Sequence, residues 1–442
     1  MSEFIKFTPE LLNGQNISIL REIGRQLGVK SSSSKPKEEL ILSILQIQEG
    51  SLEPVAPSKR GAPAKNVDVS AFYLRDWVSE EPSDEVLYIP NIVKDVLIFR
   101  DDNVIESEGV VRLVYPEQYG FILFDMSKRT DKDVFITKQN VCANNLKDGD
   151  LVKCTSKLGQ NGCLYLDKII SVNGSDKLPD KDRISINDLP AVYPDKKIPL
   201  YDGDYKNKGV RIVDLFTPIG YGQRVAIIGE RFTGKKTLVK DIALSIKNNV
   251  QDAIVYTILL GESPELISDF KKELGDVLVA TSFNQDHEDH IKAFTTVCSR
   301  VKRLAEAGKN VVLAVGSLSN LFVNSINSDN AIKENEKVVS LIKKAFISAK
   351  NIENGGSLTI IVGIDKKDFI KYESEFAPLI NCDIILSKEL ASKRVFPAID
   401  LVSSFTERDN VLSQKNDYVS ANSVRKAIVD GKIDLGDAIL EY

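Results

Sequence analysis

The stretch Arg224–Ile246, RVAIIGERFTGKKTLVKDIALSI, decides how most of the chain folds. An apolar run over Arg224–Ile228 ends in Gly229, a second glycine follows at Gly234, and an amphipathic helical pattern starts directly after it. Strand, glycine loop and helix in that order describe a phosphate-binding loop. Its glycines let backbone N–H groups close around phosphate oxygens, and the helix N-terminus adds positive potential. In such a loop a lysine reaches the terminal phosphates and a Ser/Thr hydroxyl holds Mg2+. Gly229, Gly234 and Lys235 keep this spacing, with Thr233 inside the loop. Lys236, however, stands where the hydroxyl belongs, and Thr237 comes one residue late. A glycine turn of purely structural purpose is the competing reading.

Working outward, the candidate strands Ala253–Leu259, Val277–Ala280, Asn310–Val315, Leu358–Gly363 and Cys382–Leu386 alternate with helical patterns. That alternation predicts a mainly parallel sheet covered by helices on both faces. From about Glu106 to Val172 the pattern changes to five short β-rich runs, GVVRLVY, YGFILF, KDVFIT, DLVKCTSK and CLYLDKIISV, which predict a small barrel of the oligonucleotide-binding type. Tyr119, Phe121 and Phe135 fall at alternating positions of adjacent strands, beside Lys128, Arg129 and Lys132. Facing solvent, such rings could stack on the bases of single-stranded nucleic acid; facing inward, they would be ordinary core.

The first fifty residues read as two short helices, Ile17–Leu27 and about Lys37–Ile47, with apolar faces of Leu20, Ile23 and Leu27 against Leu40, Ile41, Ile44 and Leu45. The following SLEPVAPSKRGAPAKN is too polar and proline-rich to fold alone and reads as a linker. The expected division is a helical module over 1–50, a linker over 51–84, a barrel over 85–175 and a nucleotide-binding α/β domain over 176–442. The stretches AIKENEK and, at the end, VRKAIVDGKIDLGDAILEY, read as solvated amphipathic surface, the latter as one final helix.

Composition agrees with several domains. The 442 residues are roughly three times the ~150 of a one-domain prior. With 43% hydrophobic and 27% charged residues, a disordered, collagen-like or disulfide-stapled chain is excluded. The 58 basic against 63 acidic residues leave a net charge of −5, so nucleic-acid contact must come from local patches. No apolar run approaches the about 18 residues of a membrane-spanning helix, and the start MSEFIKFTPE lacks a basic segment followed by an apolar one. A soluble cytoplasmic protein that keeps clear of membranes is expected. Five cysteines without a C-x-x-C pair suit reduced thiols. His287 and His290 have the spacing of two metal ligands on a helix turn, but their acidic neighbours have an ordinary helix-dipole explanation, and no protein-held metal site is expected.

Several long strings are similar to the bacterial transcription termination factor Rho family: VRIVDLFTPIGYGQR (Val210–Arg224), NIENGGSLTII (Asn351–Ile361) and KRVFPAID (Lys393–Asp400). The helical pair and the barrel match that family's Rho-N module and cold-shock-like RNA-binding domain in order and spacing. The resemblance implies a RecA-like P-loop core and a homohexameric ring. It also implies ATP and Mg2+ as cofactors, with nascent single-stranded RNA, RNA polymerase and elongation factors as partners. By the same resemblance Tyr119, Phe121 and Phe135 correspond to RNA-stacking rings and Asp133 to a base-contacting position. Gly220, Gly222, Gln223 and Arg224 correspond to the entry of the nucleotide site, Phe396 to a residue packing near adenine, and Glu262, in GESPEL, to the glutamate that activates water.

The departures from the family pattern cluster at its motor chemistry. Lys236 replaces the metal-binding hydroxyl, and Gly316, in VVLAVGSLSN, replaces the metal-side aspartate. Phe405-Thr406-Glu407 replaces the G-T-R of the family's arginine finger, with Arg408 displaced by one. Ser263 replaces the arginine of D-E-R-P, Ala377–Ile380 the K-G-T-G of the RNA path, and the channel loop around Asn327–Lys337 has no glycine. Phosphoryl transfer rests on positioning and electrostatics, and an arginine finger alone accounts for about 10³ to 10⁵ in rate. The expectation is therefore a Rho-like RNA-binding factor whose ATP hydrolysis is weak or lost. One alternative is an active ATPase and helicase using a shifted loop with Lys236, Thr237 and Arg408. Another is a non-catalytic ring subunit that modulates a Rho paralogue.

Overall fold

The computed structural model describes residues 99–115, 119–159, 162–200, 207–323 and 329–441, together with 35–48 and isolated positions between 17 and 32. It divides into two compact units, Met1–Ile98 and Phe99–Tyr442. In the first unit, helix α1 (Lys37–Gln48) opens with Glu38 and Glu39 at its positive end. Leu40, Ile41 and Ile44 pack with Leu20 and Val29 into a small core, as the apolar spacing predicts. The predicted linker, together with Ile23 and Leu27, lies outside the described residues.

The second unit starts with a closed barrel in the order β1-β2-β3-β5-β4. Its strands are β1 (Phe99–Val114), β2 (Tyr119–Leu123), β3 (Val134–Ile136), β4 (Leu151–Gly159) and β5 (Leu164–Val172), with helix α2 (Lys138–Ala143) between β3 and β4. All five predicted β-rich runs become strands. Alternation along each strand sends Val111, Ile122, Val134, Ile136, Val152 and Leu164 into one apolar interior. The barrel seats itself by the turn that ends in Gly149 (φ +89°), where a Cβ would lie 2.3 Å from the Ser299 carbonyl. Ser299 donates to Asp148 at 2.6 Å and Arg300 to Asn173 at 2.7 Å. A fully buried Asp150 accepts both arms of the Arg183 guanidinium, at 2.7 and 2.5 Å.

Ser299 and Arg300 belong to the α/β part, whose sheet of nine strands has seven in the order β14-β13-β7-β12-β10-β8-β9, with β11 pairing to β12 and β6 to β11 off that path. The strands are β6 (Ala191–Val192), β7 (Arg224–Gly229), β8 (Ala253–Glu262), β9 (Leu278–Ser282), β10 (Asn310–Val315), β11 (Asn351–Ile352), β12 (Ser357–Asp365), β13 (Cys382–Ile385) and β14 (Phe405–Thr406). The pairs among β7, β8, β9, β10, β12 and β13 are parallel, as predicted. Along β7, Val225 and Ile227 enter one core and Ala226 and Ile228 the other, so both faces are covered. Helix α3 (Lys208–Phe216) and helix α4 (Lys235–Asn249) supply the first core, the latter through Leu238, Val239, Ile242 and Ile246. Helix α5 (Pro264–Leu274) adds Phe270 to it, while helix α6 (His287–Glu306) supplies Phe294, Val297 and Val301 to the second.

Two predicted features change. The stretch around Asn327–Lys337 is not a loop in its described part, because helix α7 already begins at Asp329 and runs to Ser348. The C-terminal stretch is two helices, Lys415–Val429 and Leu435–Glu441, since Gly431 at φ +70° ends the first in a left-handed turn. Among the described residues no helix is long and apolar enough to cross a membrane.

Candidate functional site: a phosphate loop and an aromatic barrel face

The sheet places the loop between β7 and α4 at the C-terminal edge of its strands, where open α/β sheets bind ligands. Gly229 has no room for a side chain, since a Cβ there would lie 2.6 Å from Thr233 Oγ1 and 2.8 Å from Leu386 Cβ. Gly234 sits at φ +89°, a conformation glycine adopts freely. Thr233 is buried and its hydroxyl donates to the Glu230 carbonyl at 2.8 Å, tightening the loop from within. Beside the loop opens a cleft of about 690 Å³, lined by Phe232, Thr237, Asp241, Arg394 and Phe396 among others. The rings of Phe232 and Phe396 remain 76% and 43% exposed. Exposed aromatic faces beside a glycine loop suit a purine and its phosphates.

The two lysines of the loop are both occupied. Lys235 donates to the carbonyls of Gly229 (2.9 Å) and Glu230 (2.7 Å) and pairs with Asp365 Oδ1 at 2.8 Å. These three partners match the three donors of an ammonium. Lys236, at the hydroxyl position, pairs with Glu262 Oε2 at 2.6 Å. The other oxygen of Glu262 accepts from Asn320 Nδ2 at 3.2 Å. Burial pushes the Glu262 carboxyl above the usual carboxylate range, against the opposing pull of Lys236.

Mg2+ does not fit this donor set. A divalent cation on a phosphate loop needs oxygen ligands, and here both carboxylates flanking the loop, Asp365 and Glu262, are paired with lysines. Gly316 follows β10 without a side chain, and a Cβ there would lie 2.6 Å from Leu259 Cδ2. Thr237 is exposed and lines the cleft, whereas Lys236 pairs with Glu262. To serve in a shifted Lys–Thr pair, Lys236 would have to leave Glu262, which holds it at 2.6 Å. Ser263 serves as a helix cap, its hydroxyl accepting from Leu266 N at 3.3 Å.

Other predicted residues stand elsewhere. Gly220, Gly222, Gln223 and Arg224 lie at or before the start of β7, about 17 Å along the strand from the loop, and do not line the cleft. Gln223 is buried and donates to the Asn381 carbonyl at 3.3 Å, while Arg224 donates to the carbonyls of Leu379 and, at 3.1 Å, Ala349. The expected entry to the nucleotide site is thus, within one chain, a brace at the opposite end of the sheet. Arg408, expected as a displaced finger, stands at φ +59° with its guanidinium carbon 3.5 Å above the Tyr193 ring. Glu407 N bonds to the Asn381 carbonyl at 2.9 Å, which fixes this segment at the same far end. The segment Ala377–Ile380 lies there too, giving the Leu379 carbonyl to Arg224. His287 bonds to the Leu321 carbonyl at 2.6 Å and His290 is buried under Gly261, so the two rings serve local packing.

On the barrel, Phe121 pairs across strands with Phe135, and Phe135 with Tyr165. Their neighbours Ile122, Val134 and Leu164 fill the interior, so these rings stand on the outer wall. Tyr119 joins them at 6.3 Å from Phe121 and 5.8 Å from Phe135, and the Phe121–Phe135 and Phe135–Tyr165 centroids are 5.4 and 5.6 Å apart. The group is not openly exposed. The Arg129 guanidinium lies 3.6 Å above the Phe121 ring and pairs with Asp133 at 3.0 Å. Phe121 and Phe135 keep only 6% and 4% exposure. Asp133 is committed to its own loop, accepting from Phe124 N, Thr130 N and Thr130 Oγ1 at 3.0, 3.0 and 2.9 Å. Sequence reasoning missed Tyr165, the fourth ring, and Phe124, which is 56% exposed with Lys132 Nζ 4.8 Å from its centroid. The alternation in YGFILF would have turned Phe124 inward, but β2 stops at Leu123.

Comparison with known proteins completes this picture. The family model described as ATP synthase alpha/beta family, nucleotide-binding domain, matches residues 209–406. The transcription termination factor Rho of Bacillus subtilis (strain 168) is 29% identical over 366 residues, covering 78% of this chain and 85% of that protein. The Rho of Thermotoga maritima is 31% identical, covering 69% and 74% of the two chains, and Rho 1 of Ehrlichia chaffeensis is 32% identical, covering 69% and 76%. A closed five-stranded barrel, a P-loop α/β domain and identity of this extent with those proteins place the chain in the transcription termination factor Rho family.

Proposed function

We propose that this chain is a Rho-like termination factor that holds nascent single-stranded RNA on its barrel and keeps a nucleotide in its cleft while hydrolysing ATP weakly or not at all. The observation that carries this reading is the Lys236–Glu262 ion pair at 2.6 Å, which spends the water-activating carboxylate on an internal cation. Gly316 adds to it by leaving the adjacent strand end without an acid. An active engine with a shifted loop is disfavoured because Lys236, which would have to reach phosphate in it, is held by Glu262. Four rings in edge-to-face and tilted contact on the outer barrel wall, with the exposed Phe124 and several cations beside them, support RNA capture.

The family supplies the remainder of the proposal: a homohexameric cytoplasmic ring meeting RNA polymerase and elongation factors, with domains divided at 1–50, 51–84, 85–175 and 176–442. Arg224 and Arg408 stand at the sheet end opposite their own phosphate loop, a placement from which they could serve only a neighbouring subunit. The test is a termination assay on a stalled elongation complex with ATP or with a non-hydrolysable analogue. Equal transcript release with both supports a factor that works by holding RNA; release only with ATP overturns the loss of hydrolysis.

A further inference from the structure

Resting on the nucleotide-binding reading above, we infer that the cleft beside the phosphate loop takes a nucleoside diphosphate in preference to a triphosphate and binds it without a divalent cation. The charged groups around the loop lie at the C-terminal edge of the sheet. In the order β7-β12-β10-β8, Asp365 ends β12, Gly316 follows β10 and Glu262 ends β8. Two carboxylates therefore flank the loop, with no side chain between them. Each is met by one ammonium from the first turn of α4, Asp365 by Lys235 at 2.8 Å and Glu262 by Lys236 at 2.6 Å. The group of four charges sums to zero before any ligand arrives.

Two consequences follow. A divalent cation entering between loop and β8 would meet the Lys236 ammonium in place of a hydroxyl, and both carboxylates flanking the loop, Glu262 and Asp365, are already paired with lysines. The place that metal takes on a phosphate loop is thus filled by a fixed ammonium that no chelator removes. The second consequence concerns phosphate number. The backbone N–H groups of Gly229–Lys236 and the positive end of the fifteen-residue α4 can receive a β-phosphate without help from a cation. A γ-phosphate would extend toward Glu262 and Asp365, whose compensating lysines are committed to them. With no surplus positive charge in that group, a γ-phosphate finds nothing to offset its charge, whereas the β-phosphate is met by the loop N–H groups and the helix end, so the triphosphate is expected to bind about tenfold more weakly. The purine side is unaffected, because Phe232 and Phe396 flank the cleft away from these pairs.

The experiment is isothermal titration of the full-length protein with ADP and with ATP, at constant ionic strength, first in Mg2+ and then in EDTA. The inference expects ADP affinity to change by less than about threefold between the two buffers and ATP to bind about tenfold more weakly than ADP in both. ADP binding that collapses in EDTA, or ATP binding tighter than ADP in Mg2+, overturns the inference while leaving nucleotide binding intact. Absence of binding by either nucleotide in either buffer overturns the nucleotide-binding reading as well. In Lys236→Thr the hydroxyl returns and Glu262 is released, so binding should become stronger in Mg2+ than in EDTA. A variant as indifferent to Mg2+ as the parent would show that Lys236 is not the substitute cation.

Discussion

Replacing Lys236 by methionine keeps most of the unbranched side chain and removes its charge, leaving Glu262 with Asn320 as its remaining partner. The Glu262 side chain is 7% exposed and that of Lys236 35%, so the pair is only partly wet. A hydrogen bond to a buried charged group contributes about 1.5–3 kcal/mol, and the exposure of Lys236 discounts that to about 1–2 kcal/mol. At ~2–4 °C per kcal/mol for a domain of this size, the α/β melting transition should fall by about 2–8 °C, measured by scanning calorimetry. The sign with pH is also set. Burial holds the Glu262 carboxyl above its ordinary value and Lys236 pulls it down, so removing Lys236 raises it further. A carboxyl raised in the folded state costs stability above its folded value and nothing once it is protonated. The deficit of Lys236→Met is therefore full at neutral pH and shrinks as pH falls through that raised value. Glu262→Gln in the same background removes the stranded charge and should recover part of the loss. If the two substitutions add within about 0.5 kcal/mol, the side chains are not coupled and the reasoning fails.

Other consequences can be checked separately. Phe121→Ala should weaken single-stranded RNA binding by about 5- to 100-fold in a filter-binding titration, given about 1–3 kcal/mol per stacked base; unchanged affinity would make the outer rings wall packing only. Gly316→Asp should not restore ATP turnover, because its Cβ would meet Leu259 Cδ2 at 2.6 Å and Lys236 would still hold Glu262; vigorous turnover in that variant would contradict the crowding. The Cys154, Cys298 and Cys382 thiols are pushed up to about 12 by burial, whereas Cys142 is exposed. A thiol reagent at pH 8 should thus modify Cys142 quickly in the native protein and those three only after denaturation, read by peptide mass spectrometry.

Periodicity carried the architecture because it is a local property. The alternation in RVAIIG sends Val225 and Ile227 one way and Ala226 and Ile228 the other, and the β-rich runs of the barrel fall on strands with Ile122 inward and Phe121 outward. The phosphate loop was equally legible, since its two glycines and its lysine lie within seven residues. What stayed hidden depends on partners distant in sequence. Nothing near Lys236 announces Glu262, 26 residues later, and the unusual lysine could be read only as a missing hydroxyl rather than as a cation with a partner. Arg129 likewise stood in the sequence only as one of three cations beside the rings, and the loop closed by Asp133 lays it on Phe121. The string containing Gly222, Gln223 and Arg224 matches the family closely, and the strand reading already put it at the start of β7, but a match of residues carries no information on the distant carbonyls of Leu379, Ala349 and Asn381 that these side chains brace. Phe124 escaped because alternation says nothing about where a strand ends.

The most direct measurement of the central claim is steady-state ATP turnover by the purified full-length protein in Mg2+, with saturating single-stranded RNA and without it. An ion-paired Glu262 and an acid-free Gly316 predict turnover far below about 1 s−1, the low end of ordinary enzymes, and no rise on adding RNA. RNA-stimulated, Mg2+-dependent turnover at or above that rate would contradict the account.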